Sequence, residues 1–219
     1  MRRIERPSPN HDARPVGAAI DMLVLHYTGM ASAEAALARL CDPAAKVSAH
    51  YTIDETGTLY AHVPESARAW HAGVSFWAGT RNVNACSIGI ELVNPGHEFG
   101  YRAFARPQIA ALTELCHGIG KRHAIPAARV LGHSDVAPAR KDDPGELFPW
   151  PALAAAGIGL WPANTQDKAA ADALPRFGYD PEAPWDKTIL AFQRHFRPQS
   201  LTGLWDDECA RLLAGLLGH

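Results

Sequence analysis

Several features that would place the chain in a specialised class are missing from its sequence. It has 219 residues, a net charge of −2 and no basic run, which argues against nucleic-acid binding through phosphate contacts. No apolar stretch approaches the length that spans a bilayer. The start, residues 1–7, is basic, but no apolar signal core follows it, so the sequence as it stands does not predict export.

Cysteine is also scarce. The four cysteines are scattered and form no CxxC pair, so nothing resembles a disulfide framework. Cys116 falls on the apolar stripe of a predicted helix, where a thiol is typical core filler. No contiguous HExxH signature is present. Histidine, by contrast, is frequent, with 11 residues, which raises the chance of a metal site without locating one.

The apolar pattern predicts an α/β protein with a central mixed β-sheet flanked by helices. A strand over residues 21–25 places Met22, Val24 and His26 on one face and two leucines on the other. Apolar residues on both faces favour a central position in the sheet. Residues 87–93 predict a second clear strand. Its alternation places Ile88, Ile90 and Leu92 on one face and a glycine and Glu91 on the other.

Other segments of the first part also have clear patterns. Residues 32–40 are alanine-rich and predict a helix, and residues 49–63 predict a hairpin with a turn at 54–57. Residues 107–122 predict a helix that Pro107 opens. Residues 1–18 are polar and contain proline, and we predict an irregular arm there.

The composition changes near residue 158. We predict a first domain over residues 1–157, a linker over 158–164 and a small three-helix bundle with its own core over 165–219. The second helix of the bundle carries an apolar face, and the last helix has Asp206 near its cap. The residues of that apolar face are Trp185, Ile189, Phe192 and Phe196.

Two short apolar strands each lead to a histidine, His26 and His133, and Asp143 follows ten residues after the second. Strand ends of this kind can place both imidazoles at one edge of a sheet, and the carboxylate would complete a three-ligand site for one Zn²⁺ ion with an open position for water. For His26 alone, a buried and hydrogen-bonded core histidine is the better interpretation. The three residues together favour a metal site.

Two charged residues are candidates for catalysis. Glu91 lies inside an apolar strand, where carboxylates are rare without a partner. It is either the base that takes a proton from zinc-activated water or one half of an ion pair with Arg68 or Arg81. Lys141 lies two residues before Asp143 and could stabilise an oxyanion, although on charge alone a solvated lysine is the better interpretation.

Residues 74–86 form a loop rich in Gly, Asn and aromatic residues, which is plausible as a cleft wall. We predict Trp70, His71 and Asn84 as substrate-binding residues in or beside it. Core packing at the entrance of the loop is an equally good interpretation of the two rings.

Four motifs in this order resemble one known family: LHYT at residues 25–28, WHAG at 70–73, SIGIE at 87–91 and HSDVAPARKDDPG at 133–145. The chain is similar to the zinc-dependent N-acetylmuramoyl-L-alanine amidases, which share a fold with peptidoglycan recognition proteins. Within that family it resembles the AmiD type, because residues from about 165 onward look like a peptidoglycan-binding-like helical domain.

The resemblance implies zinc on His26, His133 and Asp143, Glu91 as the catalytic carboxylate, and Lys141 as the group that steadies the tetrahedral intermediate. The implied reaction is hydrolysis of the amide between N-acetylmuramic acid and L-alanine of the peptidoglycan stem peptide. The expected partners are peptidoglycan or muropeptide fragments, with no nucleic acid and no transmembrane segment. The family resemblance implies the bacterial envelope, whereas the cytoplasm is expected if the sequence is full length, because no signal core is visible.

Two other functions stay open at this point. One is a non-catalytic peptidoglycan sensor on the same scaffold, although such binders typically lack a metal ligand or the catalytic carboxylate. The other is a zinc amidohydrolase that acts on a different amide.

Overall fold

The computed structural model describes residues 1–218, which are built around a six-stranded sheet. The strands are β1 (Arg3–Glu5), β2 (His11–Ala13), β3 (Met22–Tyr27), β4 (Tyr51–Ile53), β5 (Leu59–Ala61), β6 (Ala67–Ala69), β7 (Ser87–Leu92) and β8 (Val130–Gly132). The helices are α1 (Ala33–Cys41), α2 (Val83–Cys86), α3 (Gly96–Phe99), α4 (Arg106–Arg122), α5 (His133–Val136), α6 (Trp150–Ala155), α7 (Leu174–Phe177), α8 (Trp185–Phe196) and α9 (Asp207–Leu217).

The sheet is mixed, with the strand order β1-β5-β4-β7-β3-β8. β3 pairs in parallel with both β7 and β8, and β4 pairs in parallel with β7. β4 and β5 form the predicted antiparallel hairpin, and β2 and β6 form a separate two-stranded sheet. The predicted α/β class with a central mixed sheet is confirmed.

β3 is buried on both faces, as its sequence predicts. Leu23 and Leu25 pack in one hydrophobic cluster together with α4, while Met22 and Val24 pack in a second cluster on the opposite face. Because β3, β7 and β8 run in parallel, their carboxyl ends meet at one edge of the sheet. In α/β sheets this edge is the usual place for a ligand site.

Local signals at the helix ends are also confirmed. Ser32 caps α1 by accepting a hydrogen bond from the Ala35 amide, and Asp206 caps α9 by accepting one from the Cys209 amide at 3.0 Å. α4 begins one residue before the predicted start and ends at Arg122 as predicted. Cys116 is buried in the core cluster that α4 contacts, and all four cysteines are free.

The predicted irregular arm over residues 1–18 is wrong, because this segment contains β1 and β2. β1 pairs in parallel with β5 at the edge of the main sheet, and β2 pairs with β6. Both strands have only three residues and are largely exposed. These two strands are held by backbone pairing and not by burial of their side chains. The hydrophobic pattern of the sequence therefore does not indicate them.

The C-terminal region is helical as predicted, but its core is not separate from that of the first part of the chain. Phe192, Phe196 and Leu213 belong to the same hydrophobic cluster as Met22 and Val24 of β3. The helices therefore pack on the side of the sheet that carries Met22 and Val24. On the predicted apolar face of α8, Ile189, Phe192 and Phe196 are buried, but Trp185 is 49% exposed.

The division into domains over residues 1–157 and 165–219 with a linker over 158–164 stays a prediction, and its last residue lies outside the described part. α7 is shorter than the predicted helix over 169–177, because a 3-10 turn at Ala171–Ala173 precedes it. Within residues 1–218, no helix has the length and apolar character needed to cross a membrane.

Candidate active site

Three side chains that are distant in sequence meet at the carboxyl edge of the sheet. His26 lies near the end of β3, His133 is the first residue of α5 directly after β8, and Asp143 lies on the loop that follows. The Nδ1 atoms of the two histidines are 3.0 Å apart, and Asp143 Oδ2 lies 3.0 Å from one and 3.1 Å from the other. All three residues are buried.

The second ring nitrogen of each histidine determines which atom faces the cluster. His133 Nε2 lies 3.0 Å from the Ala72 carbonyl oxygen. A carbonyl can only accept, so in the neutral form Nε2 carries the proton and Nδ1 presents a lone pair. Metal-ligating histidines commonly donate their other N–H in this way.

A chain of hydrogen bonds gives the same result for His26. The Ser87 hydroxyl donates to the Val83 carbonyl at 2.7 Å, so it accepts from His71 Nε2 at 3.1 Å. His71 Nδ1 is then an acceptor, and His26 Nε2 donates to it at 3.1 Å. The Nδ1 atom of His26 therefore also presents a lone pair to the cluster.

The imidazole rings of His26 and His71 are both held in the neutral form. Burial, followed by the nearby His133, lowers the pKa of His26 to about 4. Burial, followed by the nearby His26, lowers the pKa of His71 well below its ordinary value. Neutral imidazole is the form that binds metals.

Two lone pairs and one carboxylate oxygen thus point at each other with no donor between them. Such an arrangement is repulsive unless a cation lies among the three atoms. Ligands about 2.0–2.1 Å from a tetrahedral ion lie roughly 3.3 Å from one another, close to the observed separations. The residues present fit a divalent metal ion, and among residues 1–218 this is the one group of His, Cys, Asp and Glu side chains that does.

The segment 70–73 fixes both histidines. The side chain of His71 holds His26, and the carbonyl of Ala72 holds His133. Asn84 in turn accepts the amide hydrogens of residues 71 and 72 at 3.2 and 2.8 Å. Gly89 leaves room for the His71 ring, because a Cβ there would overlap it.

The predicted substrate-binding role of Trp70, His71 and Asn84 stays a prediction. Trp70 and His71 both line the cleft that also contains His26, His133 and Asp143. The polar contacts of His71 and Asn84 are made inside the protein, to the His26 ring and to the backbone of residues 71 and 72. The backbone contact from Ala72 has no sequence signal, since any residue has a carbonyl.

We expect His71→Phe to weaken metal binding, because phenylalanine keeps the ring but removes the acceptor that fixes His26. Loss of such an outer partner typically reduces metal affinity by about 10–100-fold. Competition with a chromophoric zinc chelator measures the change. His62→Phe is the matched control, because His62 is buried and hydrogen-bonded to Thr52 away from the cluster. Equal zinc affinity in the two variants would contradict the role of His71.

Glu91 forms no ion pair with Arg68 or Arg81, the two partners considered from the sequence. Arg68 pairs with Asp12, and Arg81 pairs with Glu182 at 3.0 Å. The Oε2 atom of Glu91 is buried and, within residues 1–218, has no hydrogen-bond partner. Burial, followed by the negative charge of Asp143, raises the pKa of Glu91 well above its ordinary value, against an opposing effect of Lys141.

The cleft above the three ligands has a volume of about 370 Å³. Glu91 and Lys141 both line it, together with Trp70. Within the described part of the chain, Lys141 makes no ion pair shorter than 4.0 Å. A larger groove of about 730 Å³ between β5 and α4 is lined by Tyr51 and Glu65, but it contains none of the three ligands.

Comparison with known proteins finds one matching family model and several similar proteins. The family model for N-acetylmuramoyl-L-alanine amidase matches residues 16–146. The N-acetylmuramoyl-L-alanine amidase AmiD of Escherichia coli is 36% identical over 90% of this chain and 82% of its own length. The 1,6-anhydro-N-acetylmuramyl-L-alanine amidase AmpD of Salmonella typhimurium is 36% identical over 66% of this chain and 84% of its own.

A solved structure of AmiD from Escherichia coli in complex with anhydro-N-acetylmuramic acid-L-Ala-D-gamma-Glu-L-Lys matches with a TM-score of 0.83. The match has 36% sequence identity and covers 94% of this chain and 92% of that one. The similarity therefore extends through the C-terminal helices.

Proposed function

Because this chain belongs to the N-acetylmuramoyl-L-alanine amidase family, we propose that it hydrolyses the amide between N-acetylmuramic acid and L-alanine with one zinc ion on His26, His133 and Asp143. Its relatives are N-acetylmuramoyl-L-alanine and 1,6-anhydro-N-acetylmuramyl-L-alanine amidases, which supports this reaction. The zinc ion, the roles of the residues and the preferred substrate are the proposal.

One observation supports the zinc site most directly. Three acceptor atoms without donors between them converge at 3.0–3.1 Å in a buried place beside an open cleft. Two imidazoles and a carboxylate are a ligand set that zinc accepts, and three protein ligands leave a fourth position for water or substrate. A bound zinc ion would polarise the substrate carbonyl and lower the pKa of a water molecule to about 7.

Glu91 is the proton carrier in this proposal. Its carboxylate lines the cleft beside His26, His133 and Asp143, where it can take a proton from the attacking water. The same carboxylic acid can then protonate the leaving amine of L-alanine. Its Oε2 atom has no competing hydrogen bond in the described residues, so the carboxylate is free for this purpose.

Lys141 is the proposed stabiliser of negative charge. When water adds to the amide carbonyl, the oxygen becomes an oxyanion, and a preorganised cation beside it lowers the barrier. Lys141 lines the same cleft as Glu91 and makes no ion pair within the described residues. Its neighbour Asp142 is paired instead with Arg194 at 2.7 Å, so the ammonium remains available for substrate.

Incubation of the purified protein with a soluble anhydro-muropeptide tests this function. We expect mass spectrometry to find anhydro-N-acetylmuramic acid and an intact stem peptide with a free L-alanine amine. Addition of a chelator should stop the reaction and added zinc should restore it. Intact sacculi assayed side by side determine whether the polymer or the soluble fragment is the better substrate.

Two outcomes would contradict the proposal. Tight binding of the muropeptide without turnover would favour a peptidoglycan sensor. Cleavage at a different amide would favour another zinc amidohydrolase.

A further inference from the structure

A buried carboxylate connects the metal-binding loop to the C-terminal helices. Asp135 lies two residues after His133 and is 1% exposed. Its Oδ2 atom accepts from the Gly132 amide and from His195 Nδ1, both at 2.7 Å, and its Oδ1 atom accepts from the Tyr179 hydroxyl at 2.7 Å. Two of these three donors come from the C-terminal helical region, one from α8 and one from the turn after α7.

The same helix also holds the other end of the loop. Arg194, adjacent to His195 on α8, pairs with Asp142 at 2.7 Å, directly before the ligand Asp143. Within the loop, the Ser134 amide donates to the Asp143 carbonyl at 2.9 Å. Two neighbouring residues of α8 are therefore bonded to the two ends of the segment that carries His133 and Asp143.

The partners of Asp135 from the C-terminal region are buried and closely packed. The His195 ring stacks on Trp150 with a centroid distance of 3.7 Å and on Phe196 at 3.9 Å. Tyr179 is fully buried. Burial, followed by the charge of Asp135, raises the pKa of Tyr179 well above its ordinary value, so its hydroxyl keeps the proton that it donates.

We propose that α8 and Tyr179 are positioning elements of the metal site, which hold His133 and Asp143 in ligand geometry through Asp135 and Asp142. This inference rests on the proposed function, since it assigns a role to residues around the same metal ion. A buried carboxylate that loses a donor must find another partner or shift. Because Asp135 shares a single helical turn with His133, such a shift moves the ligand.

The test uses the full chain and two variants with matched controls. Tyr179→Phe removes one hydroxyl from Asp135, and Arg194→Gln removes the ion pair with Asp142. Tyr51→Phe is the first control, because the Tyr51 hydroxyl also donates to a carboxylate, that of Glu65, at 2.8 Å but away from the cleft. Arg197→Gln is the second control, because Arg197 follows α8 directly and pairs with Asp206 inside the helical region.

Zinc affinity by chelator competition and the visible absorption of cobalt-substituted protein are the readouts, both below the unfolding temperature of every variant. We expect the two test variants to lose about 10–100-fold in zinc affinity and to show altered cobalt bands, since the bands depend on ligand geometry. The two controls should keep the affinity and the spectrum of the unaltered protein, even where they unfold at a lower temperature.

Unchanged zinc affinity and cobalt bands in both test variants would overturn the inference, as would equal losses in the controls. Should Tyr179→Phe fail to fold, Arg194→Gln decides alone, since Asp142 lies at the surface. The readouts need no turnover. If the unaltered protein binds no zinc, the proposed function itself is refuted. If the unaltered protein and the test variants bind zinc equally well, only this inference is refuted.

Discussion

Glu91→Gln is expected to lower kcat by about 10²–10⁴-fold while zinc remains bound at one ion per chain. Glutamine has nearly the shape of glutamate but cannot take a proton from water at neutral pH. Glu91 contributes none of the three converging ligand atoms, so the metal affinity should not depend on its carboxylate. Turnover of a soluble muropeptide together with metal analysis of the dialysed protein measures both quantities.

Glu98→Gln is the matched control for this experiment, since Glu98 is exposed on α3. It should leave kcat unchanged. Loss of zinc from Glu91→Gln would show that the carboxylate is a ligand rather than a base. Retained turnover would remove it from the chemistry altogether.

His133→Ala is expected to abolish both metal binding and activity. The substitution removes one of three ligands, and it also frees the Ala72 carbonyl that orients the ring. Because the metal contributes several kcal/mol to stabilisation of the transition state, turnover should fall by at least about 10³-fold. The dialysed variant should contain no stoichiometric zinc by elemental analysis.

The control is His11→Ala, since His11 is an exposed histidine on β2. It should bind zinc and turn over muropeptide as the unaltered protein does. If His133→Ala retained one zinc ion per chain, His133 would have to be removed from the ligand set.

The sequence predicts the faces of the central strands well, because burial on both sides imposes a strict alternation. Ile88, Ile90 and Leu92 pack in the core, and Glu91 on the opposite face of β7 lines the cleft. The same alternation places His26 on the face of β3 that also carries Met22 and Val24. Strand direction then brings His133 to the same edge.

Contacts that depend on tertiary packing leave no such pattern. The carbonyl of Ala72 orients His133, but its position depends on how the loop 70–73 lies against β7. Asp135 belongs to a sequence motif, yet its partners Tyr179 and His195 lie 44 and 60 residues further along the chain. The sharing of one hydrophobic cluster between α8 and β3 likewise becomes visible only in three dimensions.

The distance along the chain between the three proposed ligand residues has a consequence for folding. His26 and His133 are 107 residues apart, and His26 and Asp143 are 117 apart. Bringing such distant points together in a disordered polypeptide costs loop-closure entropy that is offset only by a formed core. A small zinc finger uses its ion to nucleate folding. Here His26 and His133 come together only when β3 and β8 are paired, so uptake of an ion would report that the central sheet has assembled.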